Sequence, residues 1–208
     1  MTDPAPTGSL AYLQIVAALD PVLHRHFQRS TASTYEQFVE YLTDDFDDAC
    51  RMLQERHDQY CDKKEDLITS VLVISLASMG YNATHDTKVG GHVDVVVRGK
   101  QPSHLWLGEA KRDTSLNWIK EGFDQLCERY ATGDHSQNCG ALIIYCQNGD
   151  AAGLLSSWDG KLRGLSLSEF SRADCTRKPK LAFLTEHKLS SSGTVYKIRH
   201  VAVNLKYK

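Results

Sequence analysis

The sequence predicts an α/β domain, and three observations carry that expectation. Segments with apolar residues three, four or seven apart fill the first eighty positions; the period then changes to two in "VDVVV", "LWLGEAK" and "GALIIYC"; and a helical segment, "SLNWIKEGFDQLCERYATG", separates the second of these strands from the third. With 208 residues and no compositional extreme, the chain is long enough to bury a sizeable core and predicts one compact domain with some additional helix.

In chain order, residues 1–9 are expected to be a disordered tail and 10–60 an N-terminal helical segment packed on the core. "SLAYLQIVAALDPVLHRHF" is helical, with Asp20 and Pro21 suited to the N-cap and first position of a second helix. In "STYEQFVEYLTDDFDDACRMLQERHDQY", Phe38, Leu42, Phe46, Ala49, Leu53 and Tyr60 share a stripe, and the acids from Asp44 to Asp48 are expected on its solvated side. The main domain then occupies 61–208. A helix apolar on most sides runs from Leu67 to Met79 and stops at Gly80, after which Gly90-Gly91 turns the chain into the strands. "TVYKIRHVAVNLKY" predicts a last strand or bent hairpin arm, with Val201, Val203, Leu205 and Tyr207 alternating.

Two of the strands carry charges that a sheet does not require. Asp94 interrupts the first apolar run, and Glu109 and Lys111 share one face of the next. An antiparallel hairpin turning near Gln101-Pro102 sets Asp94 and Glu109 opposite each other. Paired carboxylates repel and raise each other's pKa unless a hard divalent cation lies between them, so the pair is a candidate Mg²⁺ site. A lysine beside such a metal can touch its water or a phosphate oxygen, the arrangement that phosphodiester hydrolysis needs. Competing readings remain open here: a turn-flanking acid for Asp94, an exposed-edge ion pair for Glu109 and Lys111, and a turn residue or a base for His92. For Glu65 the competitor is a capping box with Asp62.

Charge is distributed unevenly. Lys161 to Lys208 holds eleven Lys/Arg against three Asp/Glu, a balance of +8, against −10 for the first 160 residues. This basic part suggests phosphate contacts, with Lys178, Lys180, Lys188, Lys197 and Arg199 as candidates, or else a solvated basic surface. His187 and His200 are expected to be surface or strand-packing residues. The first residues lack a basic and apolar leader, and no apolar run is long enough to span a bilayer, so a soluble cytoplasmic protein with reduced thiols is expected. Without a glycine-rich phosphate loop or repeat, kinase and P-loop NTPase readings drop out.

Asp94 followed by Glu109-Ala110-Lys111, preceded by a helix opening with Glu65, resembles the PD-(D/E)XK nuclease superfamily over roughly Lys63 to Gln147. The resemblance implies a restriction-endonuclease-like core, a mixed central sheet flanked by helices, in the order helix, strand, charged strand pair, helix, strand. It further implies Mg²⁺ or Mn²⁺ on Asp94, Glu109 and the Ala110 carbonyl, with Glu65 at a second metal and Lys111 positioning the attacking water. Gln125 is the candidate for the glutamine that many members carry in the following helix. One branch has Gln-x-x-x-Tyr; here Arg129 stands at that spacing and Tyr130 one later, and Val93 replaces the usual Pro before the first Asp. The activity implied is DNA hydrolysis, as in bacterial anti-phage defence or restriction, with a second copy or a regulatory ATPase or helicase as partner. The alternatives are a non-catalytic DNA-binding or assembly subunit, or a nuclease for RNA or branched DNA.

Overall fold

Side-chain caps start the N-terminal helices in this computed structural model, which describes residues 9–207. Ser9 accepts the Tyr12 amide and opens α1 (Leu10–Leu19), Asp20 accepts from Val22 and Leu23 and opens α2 (Pro21–Thr31), and Thr34 exchanges a capping box with Gln37 to open α3 (Tyr35–Glu55). Of the tail predicted over 1–9, residues 1–8 lie outside the described residues.

The stripe predicted on α3 is buried from Phe38 to Leu53, while Tyr60 falls in a separate short turn, α4 (His57–Tyr60). The acidic run is not the solvated side it was expected to be. Asp45 is buried, bonded by Arg29 at 2.9 Å and by the Tyr81 hydroxyl at 2.8 Å, and Asp47 holds Arg199 at 2.8 Å. These acids pin α2 and the last strand to α3, because buried carboxylates require partners.

Next come α5 (Glu65–Ser78), β1 (Asn82–Lys88), β2 (His92–Arg98), β3 (Leu105–Arg112) and α6 (Leu116–Asp124), which runs into a π-helical turn over Gln125–Tyr130. They are followed by β4 (Cys139–Cys146), α7 (Ala151–Arg163), β5 (Ser171–Asp174), β6 (Ala182–Lys188) and β7 (Val195–Asn204). Gly80 ends α5 with φ +97°, a left-handed conformation open to glycine. α5 is more one-sided than its composition suggests: Ile68, Leu72 and Leu76 are buried, while Leu67 and Ile74 face solvent.

The seven strands form one mixed sheet in the order β1-β2-β3-β4-β7-β6-β5, parallel from β3 through β4 to β7 and antiparallel toward both edges. One face packs against α3 and α5 through Val95, Trp106, Ile143 and Val201, and the other against α6 and α7 through Leu107, Ile144, Trp158 and Ala202. The last strand is central, so both its faces are covered and its burial is continuous from Ile198 to Val203; Tyr207 lies beyond it against His57. His200 is a core residue, bonded to Trp158 Nε1 at 3.1 Å and to the Thr185 hydroxyl at 2.8 Å.

Candidate active site

The β2–β3 register centres on the predicted turn: Arg98 pairs with Leu105, and the ladder continues to Val95 and Gly108. One step further, opposite Glu109, it gives way at Asp94, whose carboxylate instead accepts the Ala110 N–H at 2.8 Å. The ladder to β1 skips the same residue, facing Asp86, which has φ +50°. Val93 and Val95 consequently point into opposite cores, an alternation that breaks at Asp94. The distortion aims a carboxylate at the end of the neighbouring strand.

That end is the carboxyl terminus of a strand in the parallel part of the sheet, where open α/β sheets place their ligands. Glu109 and Lys111 are both buried there, with Lys111 Nζ 2.6 Å from Glu109 Oε1. Glu65 reaches the same place from the first turn of α5. Its Oε2 accepts the Arg112 N–H at 2.7 Å, and its Oε1 lies 3.9 Å from Lys111 Nζ. The capping-box reading of Glu65 fails, because Lys64 is the N-cap and Asp62 ion-pairs with its neighbour Lys63. Gln147 fixes the approach to α5, donating from Nε2 to the Tyr60 and Lys63 carbonyls at 2.7 and 2.9 Å, while Asp113 accepts the Gln147 and Asn148 amides.

Three carboxylates thus face one ammonium. Burial pushes Glu109 up to about 8, with Asp94 adding to the rise against the opposing pull of Lys111. Asp94 and Glu65 are raised by burial as well. Burial alone pulls Lys111 down, but Glu109, Glu65 and Asp94 outweigh it and keep the ammonium charged. Excess buried negative charge is what a divalent cation relieves.

Among the described residues, no group of three or more His, Cys, Asp or Glu side chains converges as a ready cage for a metal. Magnesium does not need one, since it retains waters and takes one or two carboxylates together with substrate phosphates. The donor chemistry fits: Glu109 Oε2 is buried without a partner, and Asp94 is near enough for its charge to raise the Glu109 carboxyl.

Helix α6 closes the site, and the sequence reading missed how. Gly122 packs on it so closely that a Cβ there would lie 2.6 Å from Lys111 Cγ and 3.3 Å from Glu109 Cγ. Trp118, one turn earlier and half-exposed, places its ring 5.1 Å from Lys111 Nζ. Trp118, Gly122 and Gln125 follow i, i+4, i+7 spacing, which was the available signal. Gln125 has its Oε1 buried without a partner and bonds to none of the three acids or Lys111. The π-helical turn that it begins, with Ala131 N bonded to Leu126 O at 3.1 Å, sets Gln125 and Tyr130 in the relation that four residues give in an α-helix. Tyr130 donates to the His92 carbonyl at 2.8 Å, and burial followed by Glu109 and Asp94 pushes its hydroxyl up to about 12. His92 itself pairs with Asp86 at 2.7 Å. Gly122→Ala is expected to displace Lys111 at a stability cost of ~1–3 kcal/mol, measured by thermal melts.

The basic tail does not assemble as expected. Arg199 is buried on Asp47, and Lys178 also leans on Asp47 at 3.6 Å, so neither presents its charge to a phosphate. Lys188 pairs with Glu169 at 2.7 Å and Lys197 with Glu186 at 3.6 Å, leaving Lys180 as the one exposed candidate with no such pair among the described residues. Neutralising Lys180, Lys188 and Lys197 together is expected to flatten the dependence of log Kd on log salt by less than about one unit, where three phosphate contacts would flatten it by about 2.7. Fluorescence anisotropy with DNA across a salt series measures the slope.

No family model, curated protein or solved structure matches the chain. Among the described residues, no helix is long and apolar enough to cross a membrane.

Proposed function

We propose that the protein is a metal-dependent nuclease with a restriction-endonuclease-like core that hydrolyses DNA phosphodiester bonds. The observation that carries this reading is the convergence of Asp94, Glu109, Glu65 and Lys111, from three separate elements, on one strand end with more carboxylates than it can neutralise. Two features of the fold support it. The order α5, β1, the charged pair β2–β3, α6 and β4 matches the order that the resemblance implies. The π-helical turn brings Tyr130 to the position that Gln125 would otherwise share with Arg129.

In this mechanism Asp94 and Glu109 would hold Mg²⁺ or Mn²⁺, which when bound would acidify a water and draw charge from the scissile phosphate. The Ala110 amide fixes the Asp94 carboxylate, so its second oxygen is free to face the cation. Lys111, anchored on Glu109, orients the nucleophile and stabilises charge that develops on the phosphate. The Trp118 ring at the rim offers a surface on which a base can stack.

The deciding experiment incubates the purified protein with plasmid, linear, single-stranded and branched DNA, and with RNA, in Mg²⁺, Mn²⁺ or EDTA. Cleavage of DNA in either metal and none in EDTA is expected, with 5′-phosphate ends. DNA binding without cleavage in either metal would favour an assembly subunit and overturn the proposal.

A further inference from the structure

A cavity of about 330 Å³ opens on the α3 face of the sheet, between α3, the start of β4 and the β6–β7 pair. Glu109 and Lys111 point to the other face, beneath Gly122 of α6. The cavity walls are apolar, formed by Val39, Phe46, Trp106, Ala141 and Leu184, and one charged side chain among them is buried: Arg199 is only 7% exposed. Its Nη2 donates to Asp47 Oδ2 at 2.8 Å, but Nε and Nη1 are buried with no partner.

A second observation concerns charge. Asp47 is also the counter-ion of Lys178, whose Nζ is itself buried and without a hydrogen bond, so two cations share one carboxylate. Around the mouth, Glu40 and Asp44 share Arg177, while Glu186 pairs with Lys197 and Asp174 with Arg172. The buried donors left without a partner beside Asp47 are those of Arg199 and Lys178. A buried cation lacking part of its hydrogen bonding is costly, and a guanidinium is well suited to bind an oxyanion. Apolar walls with one directed polar group are the usual make-up of a small-molecule site.

We infer that this cavity is a second binding site, for a small monoanion whose carboxylate or other oxyanion meets Arg199 and whose aromatic or aliphatic body lies between Val39, Phe46 and Trp106. The inference does not depend on the nuclease reading, because it uses none of the residues of that site.

Calorimetry with 2-naphthoate tests it, against naphthalene-2-carboxamide, which has the same frame and no charge. Saturable binding of one naphthoate per chain is expected, with the amide at least about tenfold weaker, the effect of losing one charge-assisted contact. Val39→Trp, which fills the cavity from α3 and leaves Arg199 and Asp47 themselves unsubstituted, is expected to abolish binding, whereas Glu109→Gln leaves it unchanged. Arg199→Leu should also abolish it, and if near-UV circular dichroism shows that variant unfolded, Val39→Trp decides. Three results would each overturn the inference: no saturable naphthoate binding, which would mean that a water satisfies Arg199; equal affinity for acid and amide; or undiminished binding in Val39→Trp.

Discussion

Lys111→Ala is expected to lower single-turnover cleavage about 10³-fold while leaving the affinity for DNA within about threefold. The ammonium lies 2.6 Å from Glu109 and 3.9 Å from Glu65, and in the proposed mechanism it would act on charge that develops at the reacting phosphate. An interaction realised mainly in the transition state lowers turnover when removed and leaves ground-state binding nearly unchanged. Lys111→Arg should not rescue the activity. Gly122 leaves room for a lysine stem and little more, and a planar guanidinium cannot occupy that path. Cleavage measured at saturating DNA, beside anisotropy for binding, separates the two effects. Equal loss of both would remove Lys111 from the catalytic role.

The hairpin was legible because it obeys two simple rules, alternation along a strand and a register set by its turn. Sequence midpoint alone placed Asp94 against Glu109. The stripe on α3 was legible for a similar reason, a helical period sustained over several turns. Other parts were hidden by physical features that one-dimensional patterns do not carry. β1, "NATHDTK", is an edge strand with no fully buried residue, so no apolar alternation marks it. α7 contains Gly153 and Gly160 beside Ser156, Ser157 and Asp159, which diluted the spacing of Leu155, Trp158 and Leu162. The acids of α3 looked solvated because their partners, Arg29, Tyr81, Lys178 and Arg199, lie far away in sequence. The same long-range pairing removed Lys178 and Arg199 from the expected phosphate contacts. At the site itself the charged residues could be read, whereas the space around them could not. Gly122 matters for what it lacks, and the π-helical turn at Gln125 is a matter of one extra residue that no propensity marks.

Glu109→Gln is expected to abolish Mg²⁺ binding and, without metal, to raise the melting temperature at pH 8 by several degrees. The carboxyl of Glu109 titrates near 8 in the folded protein, against 4.5 for an ordinary glutamate, because it is buried beside Asp94. Between those values the folded protein keeps a proton that the unfolded chain has released. Its contribution to stability is therefore complete below pH 4.5 and is lost as pH rises through 8. At ~1.4 kcal/mol for each pH unit, the upper bound on that loss is ~5 kcal/mol, and relaxation around the neighbouring acids and Lys111 reduces it. Glutamine copies the protonated form and escapes the loss, so the variant should gain at pH 8 and match wild type near pH 4.5. For a chain of this size, each kcal/mol moves the melting temperature by ~2–4 °C. On the proposed reading magnesium would act on the same group from the other side: it would have to displace the proton to bind, so its stabilisation of wild type should be larger at pH 8 than at pH 6. Melting curves at both pH values, with and without Mg²⁺, and calorimetry on the variant measure every part of this. Unchanged Mg²⁺ affinity in folded Glu109→Gln would remove Glu109 from the ligand set. A variant no more stable than wild type at pH 8 would show that its carboxyl is not held protonated by burial.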